Sequence, residues 1–145
     1  MQVVLGEHDI SVTTESVTVR SAVLEIISHP DYNLLSSDLD FALLRLANLI
    51  NFEEVSNIRP ICLPADASQT YAGNSAIITG WGTLEFLGSF PTKLQEVNVT
   101  VLSNEDCRTD TAYSSSDITD NMVCAGDTVN GGKDSCQGDS GLIMI

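Results

Sequence analysis

Near its end the chain reads Lys133-Asp134-Ser135-Cys136-Gln137-Gly138-Asp139-Ser140-Gly141. A serine hydroxyl is a weak nucleophile, so it needs a base to take its proton and N–H groups to hold the oxyanion that forms. Glycine next to a reactive side chain lets the backbone approach a substrate closely. Ser140 is therefore a candidate nucleophile, and its partners have to be sought in the rest of the chain.

The composition excludes several classes of partner. The 145 residues suffice for one domain with a core. No apolar run approaches the roughly 18 residues that span a bilayer, and no signal peptide is visible at the start, so no membrane partner is expected. Six basic residues against 20 acidic ones give a net charge of -14, which argues against a nucleic acid partner. This acidity favours solubility, or alternatively steers cationic substrates.

The cysteines indicate an oxidising compartment. Four cysteines occur without any Cys-x-x-Cys pair, which argues against a zinc site and for disulfides. The sequon that begins at Asn98 points the same way and predicts a glycosylation site. Alternation along this stretch turns the flanking valines inward and Asn98 outward, where a glycan has room. We therefore expect a secreted, extracellular protein without a metal site.

Short strands with turn signals between them predict an all-β fold. We expect strands over residues 2–5, 16–20, 22–28, 41–46, 75–79, 94–102 and 121–126. A capping-box pattern at residues 103–106 predicts a short helix through Cys107. Prolines bracket an extended segment after residue 58. The predicted organisation is a first β unit over 1–58, a linker over 59–74 and a second β unit over 75–145.

The strand over 41–46 is entered through two carboxylates. Asp38 is read as a loop residue, whereas Asp40 stands directly against the apolar run. We therefore expect Asp40 to be buried, and a buried carboxylate needs a hydrogen-bonding partner.

Five motifs, taken together and in order, resemble chymotrypsin-like serine proteases of the trypsin type, peptidase family S1. They are Asp40-Phe41-Ala42-Leu43-Leu44-Arg45-Leu46, Arg59-Pro60-Ile61-Cys62-Leu63-Pro64, Gly80-Trp81-Gly82, Met122-Val123-Cys124-Ala125-Gly126 and Gly138-Asp139-Ser140-Gly141. In general enzymology this family is the worked example of catalysis by a serine nucleophile. The resemblance implies a double six-stranded antiparallel β-barrel, here incomplete at both ends. The nucleophile elbow of α/β-hydrolases does not fit, because Leu142 stands where its second glycine belongs.

The resemblance also implies roles for single residues. Ser140 corresponds to the nucleophile, Asp40 to the carboxylate that orients the catalytic histidine, and the N–H groups of Gly138 and Ser140 to the oxyanion hole. Asp139 corresponds to the aspartate that pairs with the new N-terminal amine after zymogen cleavage. The alternatives are a strand-entry aspartate bonded to local backbone for Asp40 and a solvated loop charge for Asp139.

The implied specificity is for lysine or arginine at P1. Asp134 matches the acid at the base of the specificity pocket, with Ser135 and Gln137 as further substrate-binding residues, although a surface loop acid is the alternative. Polypeptide substrates and protein protease inhibitors are the implied partners. Cys107 and Cys124 match a disulfide pair. Cys62 and Cys136 match cysteines whose partners lie elsewhere in the family, and a direct Cys62–Cys136 bond is the alternative within this chain.

The pattern departs from the family at two places. The family carries its catalytic histidine in an Ala-Ala-His-Cys segment, whereas His8 and His29 stand in unrelated contexts. The family also continues its serine with Gly-Gly-Pro, but here Leu142 follows Gly141. We therefore expect a partial protease sequence that is inactive alone. The alternatives are a non-catalytic homologue that acts by binding and a non-functional truncated product.

No cofactor is required by the implied chemistry, although calcium is one expectation. Glu7, Asp9, Val12 and Glu15 resemble the calcium loop of vertebrate trypsins, which supplies oxygen ligands. An acidic surface loop is the alternative.

Overall fold

The structure is a computed structural model that describes residues 1–14, 17–66, 68–109, 111–141 and 143–145. In these ranges the elements are β1 (Gln2–Leu5), β2 (Val19–Ser28), β3 (Ala42–Leu46), β4 (Ser75–Gly80), β5 (Gln95–Leu102), α1 (Asn104–Thr109), β6 (Cys124–Gly126) and β7 (Ile143–Met144). The predicted all-β class is confirmed, with one short helix among the described residues.

The first sheet has three antiparallel strands in the order β1-β2-β3. We predicted two strands over 16–20 and 22–28, but the structure has one strand from Val19 to Ser28, while Ser16 lies outside the described residues. The strand continues because residues 19–22 pair with β1 and residues 23–28 pair with β3. Within it, Ser21 is only 1% exposed. Its hydroxyl donates to the Ala22 carbonyl and accepts from the Asn48 N–H, so burial of this polar side chain is compensated.

The second sheet has four antiparallel strands in the order β6-β5-β4-β7. Ala76, Val99 and Val101 form its buried core. The predicted alternation of β5 is confirmed, since Val99 and Val101 are buried whereas Asn98 and Thr100 are exposed. Asn98 is therefore accessible to solvent, as a glycosylation site requires.

The two ends of this sheet differ from the prediction. The strand expected over 121–126 begins only at Cys124, because residues 119–122 form a turn in which the Met122 N–H donates to the Thr119 carbonyl. The short strand β7 was not predicted. It pairs with β4, and Ile145 and Ile77 exchange backbone hydrogen bonds of 3.0 and 2.8 Å. A pattern of two residues is too short to reveal a strand from sequence.

The helix α1 is capped at its start and joined to β6 by a disulfide. The Ser103 hydroxyl accepts from the Asp106 N–H at 3.0 Å and donates to the Asp106 carboxylate at 2.6 Å, which confirms the predicted cap. The helix continues to Thr109, beyond the predicted Cys107. Cys107 and Cys124 form the disulfide that the resemblance implied, and it joins α1 to β6 across 17 residues of sequence.

The two sheets touch through the loop after β1. The Trp81 indole N–H donates to the carbonyls of His8 at 3.2 Å and Thr92 at 3.1 Å. The Leu94 N–H donates to the same His8 carbonyl at 2.7 Å. The division at residues 59–74 stays a prediction. Within the described ranges, no helix is long and apolar enough to cross a membrane.

Candidate active site

The Ser140 loop, defined as residues 133–141, is shaped by two glycines with left-handed backbones. Gly138 has a φ of 98° and Gly141 a φ of 87°, angles that side chains other than glycine rarely adopt. Between them the Asp139 N–H donates to the Cys136 carbonyl at 3.0 Å and closes a tight turn. Ser140 stands exposed at the end of this turn. Both the predicted nucleophile and its glycine neighbours therefore share one compact loop.

The Asp139 carboxylate holds this turn in place. One of its oxygens accepts from the Gly82 N–H at 2.7 Å and the other from the Cys136 N–H at 2.8 Å. Its side chain is half-buried and bonded to backbone rather than left as a solvated loop charge. Hydrogen bonds to an ionised acceptor are stronger than neutral ones. Asp139 therefore ties the Ser140 loop to the segment that follows β4.

Glycine is required at position 82 because of this contact. A Cβ built on Gly82 would overlap the carboxylate carbon and both carboxylate oxygens of Asp139. Gly138 is confined in the same way, since its Cβ would lie 2.5 Å from Cε1 of Phe90. The Gly80-Trp81-Gly82 motif thus allows the Ser140 loop to pack directly on the backbone of Gly82.

Thr83 adds a second attachment. This residue is 5% exposed, its N–H donates to the Gln137 carbonyl at 3.0 Å, and its hydroxyl lies 3.0 Å from the Cys136 sulfur. Gln137 is exposed, so its side chain is open to solvent while its carbonyl anchors the loop. Cys62 is exposed and Cys136 half-buried, both with free thiols, and no bond joins them.

The predicted oxyanion donors are available for a ligand. Within the described residues, the N–H groups of Gly138 and Ser140 donate to no protein atom. An open cleft of about 820 Å³ runs along the loop, and Asp134, Ser135, Asp139 and Ser140 are among the residues that line it. Ser140, which carries the candidate hydroxyl, and Asp134, which carries a carboxylate, therefore line the same cleft.

Asp134 is exposed, and its carboxylate accepts from the N–H of its neighbour Ser135 at 2.7 Å. Lys133 also borders the cleft, but its ammonium group lies 3.7 Å from the Asp127 carboxylate. The Asp134 charge is therefore not neutralised by an ion pair with any described residue.

The expected burial of Asp40 is wrong, because this residue is exposed. The strand it precedes, β3, lies at the edge of its sheet, where β2 is its one partner among the described residues, and four of its five residues are exposed. Among the described residues, neither a hydrogen bond nor an ion pair joins Asp40 to a protein group. The structure therefore does not link Asp40 with Ser140.

Asp38 has the environment that was expected for Asp40. It is half-buried, accepts a hydrogen bond from the Thr119 hydroxyl, and receives the Asn121 amide at 3.2 Å on each carboxylate oxygen. The Thr119 hydrogen bond is the main reason that the pKa of the Asp38 carboxyl lies below its ordinary value. Sequence reasoning missed this role, because no local pattern connects residues 38 and 119.

Neither histidine is placed as a base for Ser140. The His29 ring packs on Phe41 with ring centroids 4.8 Å apart, and its Nδ1 accepts from the Asp31 N–H at 3.2 Å. His8 is exposed, and its backbone carbonyl is the acceptor for Trp81. Their side chains make no hydrogen bond to Ser140 in the described structure.

The predicted calcium ligands do not come together in the described structure. Glu7 pairs with Arg20 at 3.7 Å, and the Asp9 carboxylate accepts from the N–H and hydroxyl of Ser11 at 3.0 and 2.6 Å. Glu15 lies outside the described residues. Across the described part of the chain, no group of three or more His, Cys, Asp or Glu side chains could hold a metal ion. Calcium binding by this loop stays a prediction.

The two antiparallel sheets are consistent with the class implied by the sequence motifs, the chymotrypsin-like serine proteases. Comparisons with known proteins agree, since the family model described as Trypsin matches residues 1–141. The chain is 42% identical over 142 residues to Trypsin II-P29 of Gallus gallus. The matched residues make up 97% of this chain and 54% of that protein. The chain is 43% identical over 144 residues to Trypsin-1 of Astacus astacus, with 97% and 56% covered.

The chain belongs to the trypsin family, and its fold is part of the trypsin-like double β-barrel. It is also 40% identical over 145 residues to Serine protease filzig of Drosophila melanogaster, of which it covers 8%. The chain spans about half the length of the two trypsins, namely 54% and 56%.

Proposed function

We propose that this chain is the part of a serine endopeptidase that carries the nucleophile, and that the protein hydrolyses peptide bonds after lysine or arginine. Ser140 attacks the scissile carbonyl, the N–H groups of Gly138 and Ser140 stabilise the oxyanion, and water then hydrolyses the acyl-enzyme. Asp40 orients the histidine that acts as base. A single oxyanion donor typically lowers the activation free energy by about 3 kcal/mol.

The observation that carries this proposal is the attachment of Asp139 to the backbone of Gly82 and Cys136. These two hydrogen bonds, of 2.7 and 2.8 Å, set the turn from which Ser140 projects into the cleft. A preorganised donor costs no reorganisation when the oxyanion forms. After zymogen cleavage, the new N-terminal amine would compete for the same carboxylate.

The base is proposed to lie outside these 145 residues, since the sequence holds two histidines and neither His8 nor His29 forms a hydrogen bond to Ser140 in the described structure. The chain alone is therefore expected to be inactive. A secreted, extracellular location and recognition by protein protease inhibitors are parts of the same proposal. They are supported by the trypsin relatives and by the Cys107–Cys124 disulfide, which suits an oxidising compartment.

The preference for a cationic P1 residue is tested through Asp134. Benzamidine, an aromatic cation, is titrated into the chain and its contacts are mapped by NMR. We expect the signals of Asp134 and Ser135 to shift most, and Asp134→Ser to weaken binding about tenfold, because the cation loses its charged partner.

The matched control is Asp31→Asn, which removes the same charge from an exposed residue that does not line the cleft. This control is expected to leave benzamidine binding within about twofold, since an exposed charge outside the binding site is screened by salt. Absence of benzamidine binding, or equal binding by Asp134→Ser, would overturn the assignment of Asp134.

A further inference from the structure

Asp38 lies two residues before Asp40, the proposed catalytic carboxylate, and its side chain contacts a distant part of the chain. The Asp38 carboxylate accepts from Thr119, which lies 81 residues away in sequence, and from Asn121 in the same turn. We propose that Asp38 is a positioning residue that anchors the loop before β3 to the 119–121 turn and thereby fixes the location of Asp40. This inference rests on the orienting role proposed for Asp40.

The anchor on the far side is itself firmly held. The Asn104 side chain of α1 donates to the carbonyls of Thr119 at 2.9 Å and Met122 at 3.0 Å. Arg108, one turn further along α1, donates to the Ile118 carbonyl at 2.8 Å. The disulfide from Cys107 fastens the same helix to β6. Asp38 therefore binds to a turn whose backbone is tied to a covalently fixed helix.

The loop on the near side depends on such an anchor. Ser37 and Leu39 have φ values of 56° and 55°, a left-handed backbone that residues other than glycine adopt at a cost in free energy. These two residues flank Asp38, whose carbonyl accepts from the Asn33 N–H at 3.1 Å and closes the loop. Strained backbone of this kind persists where surrounding contacts hold it.

Asp40 has no comparable attachment of its own. Its side chain is exposed and accepts no hydrogen bond in the described structure. Next to it, the Phe41 N–H donates to the Leu39 carbonyl at 2.9 Å and the His29 N–H to the Phe41 carbonyl at 3.1 Å. The backbone on either side therefore determines where the Asp40 carboxylate stands, and Asp38 is the nearby residue that ties this backbone to the other half of the chain.

The test is amide hydrogen exchange of the full chain, followed by NMR. Asp38→Ala and Thr119→Val each remove one side of the contact, and Thr119→Val does so without changing the shape of the side chain. We expect exchange of the Asn33 and Phe41 amides to accelerate at least about tenfold, with a shift of the Asp40 amide signal. The Ile77 and Val101 amides of the second sheet are expected to change by less than about twofold.

Conservative variants should restore the protection. Thr119→Ser keeps the hydroxyl and is expected to exchange like the wild type, and Asp38→Asn keeps one acceptor oxygen and falls between wild type and Asp38→Ala. Asp120→Asn is the matched control. Asp120 is an exposed carboxylate in the same turn, but it pairs with Arg108 and takes no part in the Asp38 contact. It should leave the Asn33, Asp40 and Phe41 signals unchanged.

Two results would overturn the inference. One is unchanged exchange at Asn33 and Phe41 in both disrupting variants. The other is equal acceleration in both sheets, which would indicate a general loss of stability without a positioning role. Neither result depends on catalysis. Failure of the proposed protease function would appear instead as absence of benzamidine binding at Asp134, so the two failures are distinguishable.

Discussion

Replacing Gly82 with alanine should disrupt the Ser140 loop while leaving both sheets folded. The added Cβ would overlap the Asp139 carboxylate, so either the side chain or the backbone has to move. Movement breaks the hydrogen bonds from Gly82 and Cys136 to a half-buried charge. Together with overpacking, this loss is expected to lower the free energy of unfolding by about 3 kcal/mol, measured by urea denaturation.

The matched control for this change is Gly126→Ala in β6. A Cβ at Gly126 would meet only the Lys133 carbonyl, at an ordinary contact distance of 3.9 Å. The control should therefore change the free energy of unfolding by less than about 0.5 kcal/mol. Equal stability of the Gly82→Ala and Gly126→Ala variants would show that the packing of Asp139 on Gly82 is not what holds the loop.

Removing the Cys107–Cys124 disulfide should have a comparably large effect. The bond closes a loop across 17 residues, and both cysteines are buried, at 4% and 8% exposure. The chain-entropy model assigns about 3 kcal/mol to a loop of this size. The double variant Cys107→Ala/Cys124→Ala is therefore expected to lose about 3 kcal/mol in urea denaturation.

Cys62→Ala is the control for the disulfide, because Cys62 is an exposed free thiol. Its free energy of unfolding should stay within about 0.5 kcal/mol of the wild type. A double variant as stable as the Cys62→Ala protein would contradict the stabilising role of the bond. The result also bears on the Asp38 contact, since the disulfide fastens the helix that carries the Asn104 and Arg108 hydrogen bonds.

The sequence predicted best what depends on short periods and local chemistry. The alternation of Val97, Val99 and Val101 predicted the inner face of β5, and the serine at position 103 predicted the start of α1. Each of these signals involves residues only a few positions apart in the sequence, so it can be read without knowledge of the tertiary packing.

Contacts between residues that are far apart in the sequence could not be predicted from local patterns. The hydrogen bond between Gly82 and Asp139 joins residues 57 positions apart, and the one between Asp38 and Thr119 joins residues 81 positions apart. The burial expected for Asp40 was wrong for the same reason. Its position next to an apolar run does not reveal that β3 lies at the edge of a sheet. Such properties follow from how the sheets assemble.

The central claim is that Ser140 is a nucleophile whose base lies outside residues 1–145. The direct measurement is modification of the chain by a fluorophosphonate, which reacts with activated serines, located by mass spectrometry with and without imidazole as an added base. Without imidazole, we predict no preference for Ser140 and no arginyl-ester hydrolysis. With imidazole, Ser140 should react at least about tenfold faster than other serines, and Ser140→Ala should abolish this reaction. Labelling without preference for Ser140 in imidazole, or inhibitor-sensitive ester hydrolysis without it, would contradict the claim.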